Sequence, residues 1–173
     1  MKKKLIERVT VGSGGAASIT FSDIPAGYSD LLLKLSLRNS TAINSMTLRF
    51  NGSSSNFTQR ELQGEGSGTP SSGARTDSII RLSVNRSDFT ANTFSSTSIY
   101  IPNYLASANK SFSVDAVTEN NATTSLQTII AGLWSQTAAI TEISFTSPAN
   151  FVEFSSASLY GIVRGSDGTT TVS

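Results

Sequence analysis

The sequence predicts an all-β chain: a single antiparallel β-sandwich, jelly-roll-like, built from about ten short strands. Three observations carry that expectation. Apolar and polar residues alternate with period two along most of the chain, and a helical period hardly appears. Ser and Thr number 31 and 20 of 173 residues, Thr favouring strands and Ser favouring turns. Charged residues make up only 14%, well under the ~25% of an ordinary domain, which argues against long solvated helices and against disorder.

The elements follow in chain order. Met1–Lys4 forms a basic N-terminal arm, then Leu5–Val11 and Ser18–Phe21 read as strands joined by the small-residue connection Gly12–Ala17. Leu31, Leu33, Leu35 and Leu37 share one face, with Lys34, Ser36 and Arg38 opposite. Met46, Leu48 and Phe50 alternate with Thr47 and Arg49, and Asn51-Gly52 supplies a turn. Strands are expected at Phe57–Leu62 and Ser78–Val84, separated by Gly64–Arg75, a low-complexity stretch read as a flexible loop.

Further alternation runs through Thr93–Ile101 and through Phe112, Val114 and Ala116. Leu126–Trp134 is apolar on both faces, as a central strand would be. Ile143 with Phe145, and Leu159–Val163, complete the set, and Gly165–Ser173 is a polar tail. The length suits one domain, 1–173.

Composition also narrows the chemistry. The chain contains no His and no Cys. Disulfides, thiolate nucleophiles, the Ser-His-Asp triad and ordinary transition-metal sites are therefore excluded. No catalytic residue, cofactor or metal is expected. A net charge of +1 makes nucleic acid an unfavourable partner, because phosphate binding wants a basic excess. No apolar run is long enough to span a membrane, and Glu7-Arg8 interrupts any signal-peptide core after Leu5-Ile6. The chain is thus expected to be made in a cytoplasm. Its Asn-x-Ser/Thr sequons, beginning at Asn39, Asn51, Asn56, Asn85, Asn109 and Asn121, then read as a product of composition.

Four features stand out as candidate sites. Gly64, Gly66 and Gly68 lack the following Lys of a phosphate-binding loop. Asp23, Asp30 and Asp167 sit beside turn residues, where carboxylates have structural roles. Among the aromatics, Trp134 ends the most apolar strand and is assigned to the core. Tyr104, just past Pro102-Asn103, is the candidate for exposure and ligand contact. Lys2, Lys3 and Lys4 form a short basic arm able to grip an acidic patch on a neighbouring subunit.

Several blocks resemble a family of small β-sandwich virion structural proteins of tailed bacteriophages, especially those of marine and aquatic bacteria. They are VGSGGAASITFSDIPAGYSDLLL (residues 11–33), TLRFNGSSSNFTQRELQGEG (47–66), IYIPNYLASANKSFSVDAVTENNAT (99–123) and GLWSQTAAITEISFTSPANFVEFSSASLYGI (132–162). The resemblance implies a virion protein made in the host bacterial cytoplasm, placed as capsid decoration, head fibre or tail-associated subunit. Its implied partners are the major capsid protein or other virion subunits, and homo-oligomerisation, with a trimer favoured, follows by analogy. The leading expectation is a non-enzymatic capsid decoration or cement protein. The alternative is a receptor- or carbohydrate-binding module of a head or tail fibre, with a glycan as ligand.

Overall fold

The computed structural model describes residues 2–66, 68–75, 80–120 and 125–163. The expected tail, together with Asp77, Asp167 and the first two residues of the run 78–84, lies outside the described residues. Twelve strands are present: β1 (Lys3–Thr10), β2 (Ala16–Phe21), β3 (Asp30–Ser36), β4 (Ser45–Phe50), β5 (Phe57–Glu65), β6 (Ser71–Arg75), β7 (Ile80–Ser83), β8 (Ser96–Ile101), β9 (Lys110–Glu119), β10 (Ser125–Trp134), β11 (Ile143–Phe151) and β12 (Ser156–Ile162). They form two antiparallel sheets, one of eight strands ordered β1-β12-β3-β8-β9-β10-β5-β6 and one of four ordered β2-β11-β4-β7.

That order resolves into a simple pattern. Without β5, β6, β9 and β10, the remaining strands pair first with last, second with next-to-last, and so inward, which is the winding of a jelly roll. Two hairpins, β5–β6 and β9–β10, are inserted into this frame and extend one sheet beyond β8. The fold is a jelly-roll sandwich with a widened sheet.

Period-two alternation builds the core as expected. Leu31, Leu33 and Leu35 of β3, Met46, Leu48 and Phe50 of β4, and Ile143 and Phe145 of β11 are all buried between the sheets. Burying each such side chain contributes about 1.5–3 kcal/mol relative to exposure. An aromatic cluster ties the inserted hairpins to the facing sheet. Phe50 of β4 stands 5.3 Å from Phe112 of β9, and 5.7 Å from both Phe57 of β5 and Trp134 of β10. Trp134 is a core residue, as the sequence indicates.

Gly132 on β10 makes room for this cluster. A Cβ there would lie 2.3 Å from the Phe112 ring, so only the bare backbone fits beneath it. The expected turn at Asn51-Gly52 is also present, both residues having positive φ (50° and 67°) and the Ser53 amide donating to the Phe50 carbonyl at 2.9 Å.

Several expectations are corrected. Gly64–Arg75 is a hairpin rather than a flexible loop: β5 continues to Glu65 opposite Leu126, and β6 pairs back from Ser71 to Arg75. The β6 sequence SSGAR carries no hydrophobic alternation, so its strand character comes from the backbone ladder with β5. Lys3 and Lys4 likewise belong to β1, paired with Ile162 and Gly161, and are not a free arm. Strand β8 begins at Ser96 rather than Thr93, because the preceding loop wraps around Arg38.

Two buried cations organise the loops at the ends of strands. The Arg38 guanidinium donates to the carbonyls of Ser87, Phe89, Thr90 and Thr93 at 2.9–3.0 Å. Lys110 Nζ donates to the carbonyls of Ala106 and Ala108 at 2.6 Å and of Thr137 at 3.4 Å. Burial pushes the Lys110 amine below its ordinary value of 10.5. Asn39 and Asn85, two of the sequon residues, are fully buried within the fold.

Candidate functional site

The inner face of the eight-stranded sheet is committed to the core, which leaves its outer face as the broadest regular surface of the molecule. Strand register fixes what stands beside what. One row crosses all eight strands: Arg8, Ser158, Lys34, Ser98, Asp115, Ile129, Leu62 and Ser72. It is basic over the jelly-roll strands and turns acidic, then apolar, over the inserted hairpins.

Over the jelly-roll strands the face forms a groove of about 300 Å³. Arg8 and Lys34 stand on either side of Ser158, one strand away in each direction. The serines Ser36 and Ser156 are paired on one side of this row, and Tyr160 lies on the other, opposite Leu32. None of the groove's lining residues is a carboxylate. Leu35 and Thr97, buried on the inner face, form the floor.

Beside the groove, Tyr100 donates its hydroxyl to Asp30 Oδ2 at 3.0 Å, and the Asn103 amide donates to Asp30 Oδ1 at 2.9 Å. Burial, reinforced by the Asp30 carboxylate, raises the Tyr100 hydroxyl above its ordinary 10.0. Asp30 therefore has the structural role expected of a carboxylate beside a turn.

Over the inserted hairpins the outer face carries an apolar patch among polar residues. Ile129 of β10 and Leu62 of β5 are direct cross-strand partners, and each is 52% exposed. Val117 of β9 is also exposed, paired with Gln127. The segment Leu126–Trp134 is the central strand its two apolar faces predict, with one of those faces exposed. The strand is central in its sheet, yet only Leu126, Thr128, Ile130, Gly132 and Trp134 turn inward. Beneath Leu62, the alternate residues Gln59, Glu61 and Gln63 give β5 a polar inner side. Gln59 Nε2 donates to Glu61 Oε2 there at 3.0 Å.

The sequence-selected residues fall in different places. Tyr104 is fully buried (0% exposed), its hydroxyl donating to the Pro25 carbonyl, so it offers nothing to a ligand. A tyrosine after Pro-Asn reads as a turn residue, but this one folds back under the sheet and joins the core cluster. Lys2, Lys3 and Lys4 are exposed at the sheet edge formed by β1. Arg8, Lys34 and Tyr160 were not selected from the sequence. Their positions in strands 1, 12 and 3 come together only through the first-with-last pairing of the jelly roll. No protein-family model matches the chain, and neither a curated protein nor a solved structure matches it.

Proposed function

We propose that the chain is a non-enzymatic structural protein of a tailed-bacteriophage particle, displayed on the capsid as a decoration or cement protein. In this reading it is made in the host cytoplasm, assembles with copies of itself as a trimer and seats on the major capsid protein. The observation that carries the reading is the outward-facing pair Ile129–Leu62, extended by Val117, on the hairpins that widen the sheet. Apolar side chains gathered on a rigid outer face mark a docking surface. The sequence blocks that resemble virion proteins support it, as does the jelly-roll winding, an architecture recurrent among viral capsid domains. In this reading the exposed lysines Lys2, Lys3 and Lys4, at the sheet edge formed by β1, grip an acidic patch on a neighbouring subunit.

Light scattering on the purified chain, paired with cryo-electron microscopy of the particles, tests this reading. The expected result is a solution mass near three times 18.2 kDa, reduced by Ile129→Lys, with density repeating over the capsid lattice. A monomer that stays monomeric, with density confined to a tail tip or absent from the particle, would overturn it.

A further inference from the structure

We propose that the groove over β1, β12, β3 and β8 is a binding site for an acidic sugar. The ligand is a pyranose bearing a sulfate or carboxylate, its ring against Tyr160 and its oxyanion held between Arg8 and Lys34. This adds a ligand to the decoration reading and does not depend on it.

The charge comes first. Arg8 and Lys34 arise from strands on opposite sides of β12, roughly 9–10 Å apart at the backbone by ordinary strand spacing. Among the described residues neither has an ion-pair partner, and no carboxylate lines the groove. The chain as a whole is nearly neutral, at +1, so this is a local placement of cations rather than a share of a general excess. An oxyanion between them would accept charge-assisted hydrogen bonds from both, with Arg8 able to offer a bidentate pair.

Two further features select a sugar over a bare anion. Ser36, Ser156 and Ser158 carry hydroxyls that both donate and accept, matching the hydroxyls of a pyranose. Tyr160 supplies an aromatic body with a polar tip at the groove's other side. A volume of about 300 Å³ lies at the small end of ligand sites, which span about 300–1,000 Å³. That suits a short saccharide and is too small for a folded partner. The floor is rigid, because Leu33, Leu35, Ala157 and Leu159 anchor the same strands in the core, so the site is organised before ligand arrives.

Calorimetric titration tests the site with four ligands: a heparin-derived tetrasaccharide, neutral maltotetraose, inorganic sulfate and a short polyphosphate. The heparin tetrasaccharide should bind at least tenfold more tightly than maltotetraose or sulfate. The double substitution Arg8→Ser, Lys34→Ser should weaken it at least tenfold, while Tyr160→Ala should weaken the saccharide and leave sulfate unchanged. Lys34→Glu serves as a second charge variant, and circular dichroism confirms that each variant is folded. Equal binding of maltotetraose, wild-type affinity in both charge variants, or polyphosphate binding as tightly as the tetrasaccharide would overturn the proposal. The last outcome would mean that charge alone is recognised, as for a nucleic acid backbone. None of these outcomes bears on where the chain sits in a particle, so failure of this site is distinguishable from failure of the decoration reading.

Discussion

The two halves of the eight-stranded sheet are built on opposite plans. Over β1, β12, β3 and β8 the inner face is apolar (Leu31, Leu33, Leu35, Ile99, Leu159), and the outer face is cationic and hydroxylic along the groove, bordered by the row Leu5, Tyr160, Leu32 and Tyr100. Over the inserted hairpins the contrast weakens and, past Phe57 on β5, breaks down: Gln59, Glu61 and Gln63 turn inward while Leu62 turns out beside Ile129. The jelly-roll half gathers its cations and hydroxyls around the groove and exposes Leu5 at its edge, opposite Tyr160. The inserted half leaves apolar area on its outer side, the arrangement expected where a second protein surface completes the burial. One sheet thus separates a ligand-like groove from a docking-like patch, with Asp115 standing on the row between Lys34 and Ile129.

The largest effect should come from breaking the floor of the jelly-roll half. Leu33 is fully buried beneath the groove, and Leu33→Ala should cost about 2–5 kcal/mol through lost burial and the cavity left behind. Chemical denaturation measures it, and groove binding should fall with it at temperatures where the variant begins to unfold.

Next in size is Gly132→Ala, which strikes the inserted half from inside. The added Cβ meets the Phe112 ring at 2.3 Å, and overpacking of this kind costs about 1–3 kcal/mol. Combining it with Phe112→Leu should restore part of the loss, because the obstructing atoms belong to that ring. A double-mutant cycle reads the coupling; simple additivity would mean the two positions do not meet.

Ile129→Lys should be far milder for the isolated fold. Its side chain is half exposed, so unfolding stability should change by no more than about 0.5 kcal/mol, while the association described above is lost. That separation between folding and assembly sharpens the comparison, since Leu33 and Ile129 belong to the same sheet. A large loss of monomer stability in Ile129→Lys would show that the outer apolar patch is part of the fold itself.

The smallest effect is the alkaline pH dependence contributed by Tyr100, on β8 of the jelly-roll half. The Tyr100 hydroxyl is raised above 10.0 by burial and by Asp30. Its contribution to stability is therefore fully present below pH 10.0 and lost as pH rises through the raised folded value. Tyr100→Phe should flatten the alkaline slope seen in thermal unfolding.

Much of this was legible from residues alone. Alternation in 31–37 and 46–50 marks strands because solvent on one side and core on the other enforce period two. Composition marks the all-β class, and Asn51-Gly52 marks its turn because few other residues tolerate positive φ at both positions. The limits are equally physical. Strand β6 has no apolar residue to betray it beyond Ala74, since an edge strand can be held by its backbone ladder alone. In β10 both faces are apolar, so the pattern cannot say which one meets the core. Tyr104 looked exposed because the chain turns there, and only the return of that turn under the sheet buries it.

By itself, then, the sequence determined the class of structure, the positions of most strands and the absence of imidazole and thiol chemistry, because these follow from local pattern and composition. Tertiary structure decided everything that depends on pairing across long separations. It closed β1 on β12 so that Arg8, Lys34 and Tyr160 share one groove, and it appended two hairpins so that Leu62 meets Ile129. Register is a property of strand pairs, and a pair is not written in either strand alone.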